Sequence, residues 1–211
     1  MPTDPVPPGQ IIEAPPGDRS RRSGGIVLAR HGEPALSRKV KLTSREYREW
    51  WALYEAGGLL AGQSPPEHLL EAARRAEVIF TSTRKRSIET ATALAEGRAL
   101  TQQPIFIEAP LPPPPLPDVL KFSPRTWGVI SRVCWWLGGH GGEETLREAQ
   151  RRSIDAAKLL HEMALRGDNV LVVAHGFFNS MVGAELRRLG WRKVRGRGWR
   201  YWSTRYFERP R

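Results

Sequence analysis

Histidine, serine and arginine residues that could transfer a phosphoryl group stand at three places in the chain. Arg30 and His31 form the first place, Ser82 through Arg86 the second, and His175 the third. A neutral imidazole is a good nucleophile near pH 7, and a guanidinium is a permanently charged fork that matches phosphate oxygens. Attack on phosphorus spreads negative charge over the equatorial oxygens, so the site must supply cations. These residue types predict phosphoryl transfer if the fold gathers the three places.

Each of the three places follows a short apolar run that is typical of a buried strand, namely residues 26–29, 77–80 and 169–174. Two further strands are predicted at 104–107 and 200–207. Helical patterns lie between the strands, at 45–56, 67–76, 87–96, 143–166 and 178–189. The alternation predicts an α/β protein, a three-layer α/β/α sandwich with a mainly parallel central sheet, whose functional loops lie at the carboxyl edge.

Three sequence motifs carry a family resemblance. The run Leu28-Ala29-Arg30-His31-Gly32-Glu33 resembles the signature of the histidine phosphatase, or phosphoglycerate mutase-like, superfamily. Residues 81–91 resemble the second motif of that family, in which an arginine opens a helix, and residues 170–176 resemble the third. The matches come in family order and bracket roughly residues 26 to 190. The resemblance implies a phosphoglycerate mutase-like fold and a phosphatase that needs neither a cofactor nor a metal.

The resemblance also implies roles for single residues. His31 would be the catalytic nucleophile that forms a phosphohistidine, and Arg30, Arg86 and His175 would clamp the phosphate. Two glycines beside them, Gly32 and Gly176, would let backbone and ligand approach closely.

A general acid and base is also needed, to protonate the leaving oxygen and then to activate water. A glutamate after the third strand often has this role in the family, and Glu108 lies at the matching position. Glu143 and Glu144 are the alternatives, because Gly142-Glu143-Glu144-Thr145 resembles a family helix start near the pocket. The two could equally be a solvated helix N-terminus, where carboxylates are favoured.

Length and composition predict a single domain. At 211 residues and 40% hydrophobic, the chain can bury one substantial core, which we assign to residues 26–211, after a disordered N-terminal tail at 1–25. The single cysteine excludes an intramolecular disulfide, and no apolar run is long enough to span a membrane. We therefore expect a cytoplasmic protein, whose oligomeric state the sequence leaves open.

The net charge of +11 suits an anionic partner. A phosphorylated small molecule or phosphoprotein, a nucleic acid and an acidic membrane surface would all fit. Nucleic acid is the less favoured partner, because the basic, aromatic run at 191–206 is more typical of an edge strand that cations protect from aggregation. His31 and His175 lack metal-ligand spacing, and the nearby arginines would repel a metal ion.

A Pro/Trp-rich insertion at about 109–140 separates the predicted third strand from the long helix. It could be core packing, a lid that selects a bulky or lipid-like substrate, or an interfacial patch. Two alternatives to a phosphatase also stay open. One is a phosphoglycerate-type mutase, and the other is a non-catalytic module that binds phosphorylated ligands or nucleic acid.

Overall fold

Strands and helices alternate along residues 23–196 and 199–210, which the computed structural model describes. The strands are β1 (Ile26–Arg30), β2 (Val78–Thr81), β3 (Thr101–Gln102), β4 (Val170–Ala174), β5 (Arg192–Arg195) and β6 (Thr204–Glu208). The helices are α1 (Ser44–Ala56), α2 (Glu67–Arg75), α3 (Lys85–Ala95), α4 (Pro124–Trp136), α5 (Leu146–Leu165) and α6 (Gly176–Arg188), with a short 3-10 helix at Pro104–Phe106.

All six strands join one mixed sheet in the order β3-β2-β4-β1-β6-β5. The first four strands of that order run parallel, whereas β6 pairs antiparallel with β1 and β5 antiparallel with β6. The central strand β4 is apolar and buried throughout, as expected of a strand covered on both faces. Because β1, β2 and β4 are parallel, the loops that follow them leave from the same edge of the sheet.

Helices cover both faces of the sheet. On one face, α5 and α6 pack around a core that includes Leu28, Val172 and Phe178. On the other face, α2 and α3 pack against the alternate strand residues, such as Ala29 and Val173. The predicted three-layer α/β/α sandwich is confirmed, with a parallel four-stranded part extended by two antiparallel strands at one side.

The Pro/Trp-rich insertion contains helix α4, which packs against α1 beyond the edge of the sheet. Ser123 caps α4 by accepting from the Thr126 amide, and Pro124 occupies the first turn, where a missing N–H costs nothing. Trp127 is fully buried, stacks on Tyr47 of α1 with ring centroids 5.6 Å apart, and donates its indole N–H to a backbone carbonyl. This part of the insertion is core.

Three sequence-based boundaries are wrong. The strand predicted at 104–107 is a 3-10 helix, because Pro104 cannot donate to a strand ladder but suits the first turn of a helix; the strand itself is the preceding pair at 101–102. The long helix begins at Leu146, after its capping residue Thr145, and not at Glu143. The final strand, which the sequence predicted at 200–207, starts at Thr204. The sequence did not predict β5.

The predicted tail, 1–25, lies outside the described residues except for its last three. Of those, Gly24 donates to the carbonyl of Ala164 and Gly25 to the side chain of Asn169, so two residues of the predicted tail are hydrogen-bonded to the domain. Within the described ranges, no helix has the length and apolar character needed to cross a membrane.

Candidate active site

The loops after β1, β2 and β4 open into one cavity of about 890 Å³. Its floor, at the ends of the strands, contains Arg30, His31, Arg86 and His175. Its outer wall comes from α1 and α4. The residues that the sequence placed after three separate strands therefore meet, as the parallel arrangement requires.

His31 is 2% exposed and is oriented from both sides of its ring. Its Nε2 lies 3.3 Å from Arg86 Nε, and its Nδ1 lies 2.7 Å from the carbonyl oxygen of Gly32. A guanidinium can only donate, so Nε2 must accept and Nδ1 must carry the proton that goes to Gly32. In this tautomer the Nε2 lone pair accepts the Arg86 N–H at the floor of the cavity, and Nδ1 is the donor. Burial, and then the charges of Arg86 and Arg30, hold the pKa of His31 well below its usual value, so the ring is neutral.

His175 has the opposite tautomer. Arg86 Nη2 donates to its Nδ1 at 3.4 Å, so the proton is on Nε2, which lies 2.8 Å from the hydroxyl oxygen of Ser82. The two imidazole rings meet edge to face, with centroids 5.2 Å apart. Burial is the main cause, and the charge of Arg86 the second, of a His175 pKa well below its usual value.

Arg86 is buried and all of its N–H groups have acceptors. Besides the two histidines, its Nη1 donates to the carbonyl oxygens of Tyr54 at 2.9 Å and Glu55 at 3.3 Å. Its Nη2 donates to the Glu55 carboxylate at 2.6 Å. A guanidinium has five N–H donors, and here each has a partner. The group is therefore held in one orientation beneath the two imidazoles.

Glu55 is a residue of the site that the sequence did not reveal. One carboxylate oxygen pairs with Arg86 and the other lies 2.7 Å from Nε of Arg84. Glu55 belongs to the last turn of α1, about thirty residues before the second motif, so no spacing links it to the arginines. An acidic residue near the end of a helix is an unusual placement, because the helix dipole disfavours it there, and that is the only sequence signal.

Arg30 lies beside the histidines but is held differently. It donates to the backbone carbonyl of Trp199, and its guanidinium lies 4.5 Å from the centre of the Tyr201 ring. Both aromatic residues come from the segment before β6. Of the two, Tyr201 lies within the strand that the sequence predicted at 200–207.

Glu108 lines the cavity and is fixed at the start of α6. Its carboxylate accepts from the amides of Phe178 at 2.8 Å and Phe177 at 3.2 Å, and from the amide of Ala109 at 3.1 Å. The N-terminus of a helix attracts an anion through its unpaired amides and the helix dipole, which accounts for this position.

Glu143 and Glu144, the alternative acids, do not line the His31 cavity. They border a second cavity of about 550 Å³, which shares Glu108 with the first. Glu144 is paired with Arg152 at 2.7 Å. Burial, and then the charge of Glu55, raise the pKa of Glu143.

The two glycines of the motifs differ in their surroundings. A Cβ on Gly32 would lie 2.5 Å from the Trp202 ring, so this position requires glycine. Gly32 is not among the cavity-lining residues, and its contribution is to hold His31 through its carbonyl while its amide donates to Thr90. Gly176 does line the cavity, but a Cβ there would have its nearest neighbours, atoms of Arg30 and Trp199, at 3.4 Å.

The outer wall of the cavity is mostly aromatic and aliphatic. α1 supplies aromatic rings from Tyr47 to Tyr54, and α4 supplies Val129, Val133 and Trp136. Arg132 of α4 is buried between the rings of Phe177 and Trp135. Within the described part of the chain, no group of three or more His, Cys, Asp or Glu side chains could hold a metal ion.

Known proteins resemble this chain in sequence family and in fold. The sequence model of the histidine phosphatase superfamily (branch 1) matches residues 26–208. A search of curated proteins finds no match. Among solved structures, mycobacterial glucosyl-3-phosphoglycerate phosphatase is similar with a TM-score of 0.51 and 18% identity, over 79% of this chain and 81% of that one. The structure of "mycobacterial hydrolase 1" gives 0.52 and 19%, over 79% and 80%. These likenesses support the fold.

Proposed function

Because this chain belongs to the histidine phosphatase superfamily (branch 1), we propose that it is a phosphatase that hydrolyses a phosphate monoester through a phosphohistidine on His31. The geometry of His31 carries the proposal. The ring is neutral, its Nδ1 proton goes to the Gly32 carbonyl, and its Nε2 lone pair faces the guanidinium of Arg86. A phosphoryl group that reaches Nε2 would therefore meet a nucleophile and a cation together.

In the first step, Nε2 of His31 would form a bond to phosphorus while the bond from phosphorus to the leaving oxygen breaks. The Gly32 carbonyl, which accepts the Nδ1 proton, would stabilise the positive charge that develops on the ring. Arg86 and Arg30 would contact the equatorial oxygens, exchanging present acceptors for phosphate. A phosphate dianion beside His175 would favour protonation of that ring and make it a further donor.

Glu108 would move the protons. In its protonated form it would give a proton to the leaving oxygen. The resulting carboxylate would then take a proton from the water that attacks phosphorus, which breaks the bond to His31 and releases phosphate. Its position on the wall of the same cavity, at the start of α6, supports this role over Glu143 and Glu144, which border the neighbouring cavity.

The test is turnover of p-nitrophenyl phosphate with EDTA present. We expect metal-independent hydrolysis that His31→Ala lowers by roughly 10⁴-fold or more, as loss of a nucleophile does in other covalent enzymes. The matched control, His140→Ala, replaces an exposed histidine outside the cavity and should leave turnover unchanged. Mass spectrometry of the alkaline-quenched protein should find phosphate on His31.

The acid assignment is tested by Glu108→Gln beside Glu143→Gln. We expect the first to lower kcat by roughly 10²-fold or more and the second to have little effect. A larger loss with Glu143→Gln would assign the role to that residue. Wild-type turnover no greater than that of His31→Ala, with p-nitrophenyl phosphate and with a set of phosphorylated metabolites, would contradict a phosphatase and favour a binding role.

A further inference from the structure

The solvent face of α4 is apolar, contrary to the polar face expected of a surface helix. Thirteen large hydrophobic side chains are exposed among residues 23–196 and 199–210, and six of them lie between 119 and 137. Three of these six, Val129, Val133 and Trp136, follow one another at helical spacing on α4, and Leu137 comes directly after it, 83% exposed. We call these four residues the α4 stripe.

The α4 stripe borders the mouth of the active-site cavity. Val129, Val133 and Trp136 line the cavity as well as being exposed, so the apolar surface continues from its wall to the outside. Two more cavity-lining residues, Trp199 and Arg200, come from the segment before β6 and are also exposed. The mouth therefore has exposed tryptophans on two separate elements.

The segment that carries the α4 stripe, residues 119–142, has basic residues and no acidic ones. Lys121 and Arg125 are exposed at the start of α4. Aliphatic and tryptophan side chains flanked by lysine and arginine are the composition of helices that lie in the interface of an anionic bilayer. Each nearby cation adds about 1 kcal/mol of attraction to such a membrane.

We infer that the α4 stripe docks on an anionic lipid surface, with the mouth of the active-site cavity turned towards the lipid headgroups. A second copy of this chain is the competing occupant. It is disfavoured because each copy has a net charge of +11 and brings the same cations to the contact, whereas anionic lipid neutralises them.

Co-sedimentation of the full chain with vesicles tests the inference. We expect binding to phosphatidylcholine vesicles that contain phosphatidylglycerol, and much weaker binding to phosphatidylcholine alone. Val129→Ser with Leu137→Ser should weaken binding roughly tenfold, because both side chains would otherwise leave water. Lys121→Gln with Arg125→Gln should weaken it by about fivefold per cation.

A matched control uses two exposed apolar residues of α5, Ile154→Ser with Leu165→Ser, which should bind as the wild type does. All four replaced apolar side chains are exposed, and circular dichroism would verify folding. His31→Ala should also bind normally, so failure of the phosphatase proposal leaves this test intact.

Absence of binding to the anionic vesicles, or equal loss in the α5 control, would overturn the inference. A dimer in analytical ultracentrifugation that Val129→Ser with Leu137→Ser dissociates would overturn it in favour of a second copy.

Discussion

The floor and the outer wall of the active-site cavity differ in burial and in polarity. On the floor, His31, His175 and Arg86 are buried, and every N–H of the guanidinium is matched to an acceptor. On the wall, the side chains of Val129 and Trp136 are exposed and contribute mainly apolar surface. We therefore expect substitutions of floor residues to be tolerated much less well than substitutions of wall residues.

The difference follows from what fixes each part. The floor residues stand at the ends of paired parallel strands, where a small displacement would break several hydrogen bonds at once. The part of the wall that α4 forms is positioned by the buried side of that helix, chiefly Trp127 and Trp135, while its other side is free to vary. We therefore expect chemistry to depend on the floor, and the choice and approach of substrate to depend on the wall.

Among the variants that compare the floor with the wall, Arg86→Gln has the largest expected effect. Loss of the guanidinium removes the cation that faces Nε2 of His31, and should lower kcat/KM for p-nitrophenyl phosphate roughly 10³-fold. Arg125→Gln, the same change on the wall, should alter kcat/KM by no more than about threefold, because solvent screens an exposed charge.

Stability has to be separated from catalysis in this comparison. Removing one partner of the buried pair between Arg86 and Glu55 costs about 3–5 kcal/mol. The double variant Arg86→Gln/Glu55→Gln removes both charges of that pair and leaves only the partly exposed Arg84 without its carboxylate partner. It should fold but remain as inactive as the single variant. A double variant with near wild-type turnover would show that Arg86 is only structural.

A smaller loss is expected for Glu55→Gln. Glu55 is a positioning residue, since it holds Arg86 and Arg84 and does not line the cavity that contains His31. Loss of a charged hydrogen bond is worth about 1.5–3 kcal/mol, so kcat should fall by roughly 10-fold to 100-fold. Glu55→Asp should keep part of the kcat that Glu55→Gln loses. The control Glu96→Gln breaks an exposed ion pair at the residue that follows α3, and it should leave kcat unchanged. Unchanged kcat in Glu55→Gln would show that Glu55 is not a positioning residue.

The smallest expected effect is a shift of the pH profile. The proposed nucleophile acts in its neutral form, so activity is present above the pKa of His31 and is lost as pH falls through it. Since burial, Arg86 and Arg30 lower that pKa, kcat/KM should persist well below pH 6.5. Arg30→Gln removes one of these charges and should move the acid limb to higher pH, whereas Arg125→Gln should not. An acid limb that stays in place in Arg30→Gln would contradict the assignment of the limb to His31.

The sequence predicted the floor better than the wall for a physical reason. Strand-end residues such as His31 and His175 can be identified from their immediate neighbours in sequence, because an apolar run is followed directly by a polar turn. The link between Glu55 and Arg86 joins two helices about thirty residues apart and has no periodicity, so only the folded structure reveals it. The strand predicted at 104–107 was wrong because proline and two isoleucines satisfy a strand pattern and a 3-10 turn equally well.

The insertion at 109–140 shows the same limit. Its tryptophans predicted core, lid or interface without a choice among them, and α4 separates them by helical rotation into the buried Trp127 and Trp135 and the exposed Trp136. Gly32 and Gly176 looked equivalent in their motifs. Only one of them is constrained by a neighbouring ring, and that neighbour, Trp202, is distant in sequence.

Arg86 also completes a helix to which it does not belong. The last carbonyls of an α-helix lack partners within it, and the final turn of α1 has no basic residue. The Arg86 guanidinium, which comes from α3, supplies the missing donors by hydrogen bonding to the carbonyl oxygens of Tyr54 and Glu55. Fraying of α1 would release the arginine from its position under His31, so the end of α1 and the phosphate-binding floor should open as one unit of local unfolding.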